Sequence, residues 1–165
     1  MHTYYFTKAD DESNNSFLNQ CVSESLMMKK SKIQKNFKIL LVDDDKDFNE
    51  ALSFRLKDKD YDVIAVESGY EAVKAFEGNY FDLVLLDLKM TGMDGVETLQ
   101  KITELKIASA VIIMTAYPEE KKMKTIRELN PFGVLIKPFD MEQLIPHIDE
   151  IKKEQKVEEG KNSCC

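Results

Sequence analysis

From Phe37 onward the chain alternates short apolar runs with longer segments in which apolar residues recur every three or four positions. FKILLV (37–42), YDVIAV (61–66), FDLVLL (81–86), AVIIM (110–114) and GVLI (133–136) have the length of strands. Most are too continuously apolar for a sheet with one face in water, so they read as strands buried on both faces. Between them lie Phe48, Ala51, Leu52 and Leu56, then Ala72, Val73 and Phe76, then Val96, Leu99 and Ile102, then Met123 and Ile126. A fifth set, Met141, Leu144, Ile145, Ile148 and Ile151, closes the pattern. Each set lines one face of a helix that can pack on the sheet. Helix starts are marked by Asp45, by Ser68 with Gly69, by Asp94 and by Asp140 as capping residues, and by Pro118, which suits the first turn of the fourth helix.

Five strands alternating with five helices predict a parallel sheet with helices on both faces, because each parallel crossover is right-handed and deposits a helix. The expected architecture is an α/β, doubly wound five-stranded parallel sheet in the order 2-1-3-4-5. The length excludes an eight-fold barrel. In such sheets the ligand crevice lies beyond the carboxyl ends of the strands, so functional residues are sought there.

The remaining sequence bounds the reading. Residues 1–36 are rich in Ser, Asn, Lys and acids with no sustained period and are expected to be a disordered or weakly helical tail, with Met27 or Met28 as an alternative start. The domain is expected over 37–155, and 156–165 as a disordered tail. A chain of 165 residues has room for one domain, and its net charge of −7 argues against nucleic acid or an anionic membrane as partner. No apolar stretch approaches the ~20 residues needed to cross a bilayer. Cys21, Cys164 and Cys165 form no CxxC and no metal-ligand spacing, and with no secretory signal the expected compartment is the cytoplasm. The Cys164-Cys165 ending is read as a plain reactive tail. His147 sits among apolar helix positions and His2 in the tail, so neither is placed as a phosphodonor.

The strand ends carry the chemistry. Strand 1 runs into Asp43, Asp44 and Asp45, strand 3 ends at Asp87, strand 4 at Thr115 and strand 5 at Lys137-Pro138-Phe139. Two carboxylates ~5 Å apart at an effective dielectric near 20 repel by roughly 3 kcal/mol, so Asp43, Asp44 and Asp87 need cationic compensation. Lys137 supplies one charge. An all-oxygen donor set without His or Cys points to Mg²⁺ for the rest. Carboxylate, Mg²⁺, lysine and hydroxyl together form a phosphoryl-transfer constellation, with the carboxylate as nucleophile and the cations neutralising the transferring group. Asp45 is read as a helix cap and not as a ligand, and Lys89 as a solvated side chain.

KILLVDDD, DLVLLDLKMTGMDG, VIIMTAY and LIKPF resemble, in order and spacing, the four signature segments of the response-regulator receiver domain of two-component signalling, over about Phe37 to Lys153. The resemblance implies the flavodoxin-like receiver fold, with Asp87 as phosphoacceptor and Asp44 as a direct Mg²⁺ ligand. It also implies Asp43 as part of the acid pocket, Lys89 giving its backbone carbonyl to the metal, and Thr115 bonding a phosphoryl oxygen. Lys137 would pair with the phosphoryl group, held by a cis Lys-Pro peptide. The implied partners are a sensor histidine kinase or histidine phosphotransferase and a downstream protein target, with no nucleic acid and no membrane. The expected function is that of a single-domain phosphoacceptor, not an enzyme, whose output runs through protein contact or phosphorelay.

Two positions depart from the family pattern. Thr91 stands where proline is usual, which is expected to loosen the loop after the phosphoacceptor without removing a ligand. Val134 stands where an aromatic switch residue is usual, and Tyr117 is the residue expected to report the phosphorylated state in its place. Two other readings compete: a receiver-fold interaction module that is never phosphorylated, and an aspartate-nucleophile phosphohydrolase of the haloacid-dehalogenase type. The phosphohydrolase requires a second Asp where this chain has Lys89.

Overall fold

The computed structural model describes residues 36–162. Five strands, β1 (Lys38–Val42), β2 (Asp62–Val66), β3 (Leu83–Asp87), β4 (Ala110–Thr115) and β5 (Gly133–Ile136), alternate with five helices. The helices are α1 (Lys46–Lys57), α2 (Gly69–Ala75), α3 (Gly95–Glu104), α4 (Glu120–Glu128) and α5 (Met141–Asn162). The strands form one parallel sheet in the order β2-β1-β3-β4-β5, as the apolar pattern predicts.

Strand side chains alternate between two cores, because successive residues point to opposite faces. Ile39, Leu41, Leu83, Leu85, Ile112 and Met114 pack under Leu52 and Leu56 of α1 and Leu144, Ile148 and Ile151 of α5. Leu40, Val42, Val84, Leu86, Val111 and Ile113 pack under Ala72 of α2, Leu99 and Ile102 of α3 and Ile126 of α4. A sheet buried on both faces needs apolar residues at both parities, hence the unbroken runs.

Most caps fall where the sequence puts them. Asp45 accepts from the Phe48 N–H at 3.1 Å, and Ser68 from Glu71 at 3.3 Å. Asp94 forms a capping box with Glu97, and Asp140 a reciprocal pair with Gln143. Two expectations are corrected. Pro118 does not open α4: the Glu119 N–H bonds the Tyr117 carbonyl at 2.9 Å around it, so Pro118 centres a tight turn, and α4 follows with no side-chain cap. The C-terminal tail expected from 156 is helical through Asn162, where Lys156, Glu158, Glu159 and Lys161, good helix formers, outnumber Gly160. Within α5, Pro146 interrupts the hydrogen-bond ladder but sits on the exposed side, with the flanking Leu144 and Ile148 buried. The tail expected over residues 1–36 lies outside the described residues except for Asn36. Among the described residues no helix is long and apolar enough to cross a membrane.

Candidate functional site

β1, β3, β4 and β5 all point their carboxyl ends toward one edge of the sheet, where Asp43, Asp87, Thr115 and Lys137 follow or end the strands. Asp43, Asp87 and Thr115 are buried, and Asp44 is exposed. Oxygens of Asp43, Asp44 and Asp87 lie within 4.8 Å of one another. These carboxylates, with Lys89, Thr115, Tyr117, Lys122 and Lys137, line an open cleft of about 450 Å³.

Lys137 is the counter-charge. Its Nζ pairs with Oδ2 of Asp43 and lies 2.8 Å from Oδ1 of Asp87. The ammonium also sits 4.2 Å from the centroid of the Phe48 ring, which in turn meets Phe139 edge-on at 5.9 Å. Two carboxylates and an aromatic face thus hold one ammonium, and the Lys137-Pro138 peptide that delivers it is cis, as the resemblance implied. Burial pushes the Asp43 carboxyl above its ordinary value, an effect strengthened by the charge of Asp87 and opposed by the bond and charge of Lys137 and the Asp45 N–H.

The backbone around the carboxylates is equally constrained. The Lys89 N–H donates to Oδ2 of Asp87 at 2.7 Å, while the Lys89 side chain is exposed, in keeping with its reading as solvated. Gly95 permits the start of α3 to press on this turn: a Cβ there would stand 2.2 Å from the Asp87 carbonyl oxygen. Asn49, buried on α1, donates to the Asp43 carbonyl at 2.7 Å and the Val66 carbonyl at 3.2 Å, tying the ends of β1 and β2 together. The Thr115 hydroxyl exchanges hydrogen bonds with the backbone N–H and carbonyl of Tyr117, both at 3.1 Å. Val134 is half-buried against the core beneath α2 to α4, and Tyr117 is 74% exposed.

The residues gathered by strand-end reasoning are therefore brought together, and three were missed. Asn49 left a trace: it lies three and seven positions before Leu52 and Leu56, so a polar residue occupies the buried helical face. Phe48 falls in the pattern on the apolar face of the first helix, with nothing to mark it as the seat of a lysine. Thr91, expected to loosen its loop, instead donates from both its N–H (2.9 Å) and its hydroxyl (3.1 Å) to Oδ2 of Asp44. His147 takes no part in the cleft and packs edge-on against Phe132, at 6.4 Å between centroids.

Fold and site define a class first: an open doubly wound α/β protein with acid, lysine and hydroxyl groups gathered over the carboxyl ends of its strands. Residues 39–149 match the model of the response regulator receiver domain, and the chain belongs to that family. It is 38% identical over 109 residues to the transcriptional regulatory protein ZraR of Escherichia coli (strain K12), covering 66% of this chain and 25% of that protein. It is 35% identical over 109 residues to the sporulation initiation phosphotransferase F of Bacillus subtilis (strain 168), covering 66% of this chain and 88% of that one. A CheY-like response regulator receiver domain protein from Methanospirillum hungatei superposes with a TM-score of 0.72 at 27% identity, over 75% of this chain and 99% of that one. The chain thus spans about a quarter of the ZraR regulator and most of the sporulation phosphotransferase.

Proposed function

We propose that this receiver domain accepts a phosphoryl group from a phosphohistidine of a sensor kinase or phosphotransferase onto Asp87, in the presence of Mg²⁺. The observation that carries the reading is the convergence of Asp43, Asp44 and Asp87 within 4.8 Å, with Lys137 bonded to two of them. Three carboxylate donors without His or Cys suit a hard cation, and Asp43, Asp44, Asp87 and the Lys89 carbonyl would hold Mg²⁺. When bound, Mg²⁺ supplies neutralisation of the phosphoryl oxygens.

A carboxylate oxygen of Asp87 attacks phosphorus, an O–P bond forms as the N–P bond of the donor breaks, and the departing imidazole takes up a proton. Lys137, already 2.8 Å from Asp87, balances charge on the incoming group without travelling. Thr115 would leave the backbone of Tyr117 to donate its hydroxyl to a phosphoryl oxygen. That exchange gives Tyr117 a route to report phosphorylation at a position where Val134 cannot swing as a ring does. Output would pass to a protein partner through this altered surface or onward along a phosphorelay.

Incubation of the whole chain with acetyl phosphate and Mg²⁺, read by intact mass, should add one phosphoryl group. The gain should vanish with EDTA and in Asp87→Asn. A modification that persists in Asp87→Asn, or none in the unaltered protein, refutes the phosphoacceptor assignment.

A further inference from the structure

We infer that Thr91 is a positioning residue that holds Asp44 ready for Mg²⁺. The inference rests on the metal site proposed above and adds a residue that the carboxylate cluster by itself does not contain.

Asp44 is the exposed member of the three carboxylates, and the charges of Asp43 and Asp87 push it outward. No cationic side chain is paired with it among the described residues, because Lys137 is taken up by Asp43 and Asp87. What holds it is Thr91, through two donors on the same oxygen, Oδ2. A carboxylate oxygen has two lone-pair directions, so Oδ2 is filled by these two bonds and Oδ1 is left for a cation.

The loop that presents Thr91 is itself anchored on both sides. Leu88 and Met90 are buried in the core beneath α2 to α4, the Gly95 N–H bonds the Leu88 carbonyl at 3.1 Å, and Asp94 caps α3. Thr91 thus sits between two anchored stretches, 88–90 and 94–95, which limit how far it can follow Asp44. One of its two donors is a backbone N–H, which proline lacks.

The test is a calorimetric Mg²⁺ titration of the EDTA-treated full chain and of a graded series. Thr91→Ser keeps both donors and should bind within about twofold of the unaltered protein. Thr91→Val keeps the N–H and the branched shape and should raise Kd about threefold, and Thr91→Pro, with neither donor, about tenfold, the lower end of what is lost with groups that orient metal ligands. In the metal-free protein the Thr91 amide resonance should shift in Asp44→Ala, which removes the acceptor of both bonds, and the Asp44 carboxyl carbon resonance should shift in Thr91→Val, which removes the hydroxyl donor. Thermal melts establish that each variant is folded, and Thr91→Val decides the matter if Thr91→Pro is not. Equal Kd across the series, or tighter binding by Thr91→Val or Thr91→Pro, overturns the positioning role while leaving the metal site intact. If the unaltered protein binds no Mg²⁺, or Asp44→Asn binds as well as it does, the metal-site reading falls and this inference with it.

Discussion

At the scale of single residues, the site depends on groups that never touch its contents. Asn49 joins the Asp43 and Val66 carbonyls from a buried position on α1, so it sets where the β1 end, and with it Asp43, comes to rest. Asn49→Ala leaves both carbonyls without that donor and should cost about 1–3 kcal/mol of stability in urea unfolding. A loss under about 0.5 kcal/mol, the usual size of a surface substitution, would contradict the clamp. Asp43, Asp87, Thr115 and Lys137 were legible because a buried parallel strand announces its own end, and ligand chemistry collects there. Phe48 and Thr91 were not, since nothing local says that a ring on α1 will lie under a lysine 89 residues later, or that a loop threonine will face Asp44. Those contacts exist only through the packing of four separate βα units.

At the scale of elements, α3 is the best secured. Asp94 accepts from the Val96 and Glu97 N–H groups, Glu97 returns a bond to the Asp94 N–H, and Lys122 of α4 reaches Asp94 at 3.1 Å. Burial pulls the Asp94 carboxyl upward, but the Glu97 N–H, the bond and charge of Lys122 and the Val96 N–H outweigh it, and the result lies below the ordinary 3.8. A carboxyl depressed on folding stabilises the fold above the unfolded value, and the contribution fades as pH falls through the folded one. Asp94→Ala should therefore cost about 1 kcal/mol at pH 7, and the gap to the unaltered protein should narrow below about pH 4. Denaturation at pH 7 and pH 3 checks this, and a gap independent of pH would count against it. All ten elements were readable from apolar periodicity, whereas the start of α4 and the end of α5 were not. The first depends on a turn locked to Thr115 through Tyr117, and the second on a helix that runs on past Ile151, the last apolar position of the face the pattern predicts.

At the scale of the whole molecule, the acidic balance has an address. Residues 37–139 carry 14 basic and 19 acidic side chains, a net −5, of which Asp43, Asp44, Asp45 and Asp87 account for −4. Those four carboxylates crowd one edge of the sheet and bring a repulsion that folding alone must bear. A cation bound only by the folded chain stabilises it by mass action, about 2.7 kcal/mol at 100 times Kd. Millimolar Mg²⁺ should accordingly raise Tm in the unaltered protein and leave Asp44→Asn nearly unmoved, and equal shifts in both would place the effect elsewhere. The opposite concern is the sheet's free margin at β5, where unpaired backbone groups can template another strand. β5 is only four residues long, opens on Gly133 and runs out at Lys137-Pro138, whose proline has no N–H to donate. So short a margin offers a second chain almost no register to grip, and this edge, unlike the five-residue β2 edge opposite, is closed by the same lysine-proline corner that furnishes the counter-charge. Amide exchange along β5 should be the same in dilute and concentrated solution, and new protection there on concentration would show that the edge is open.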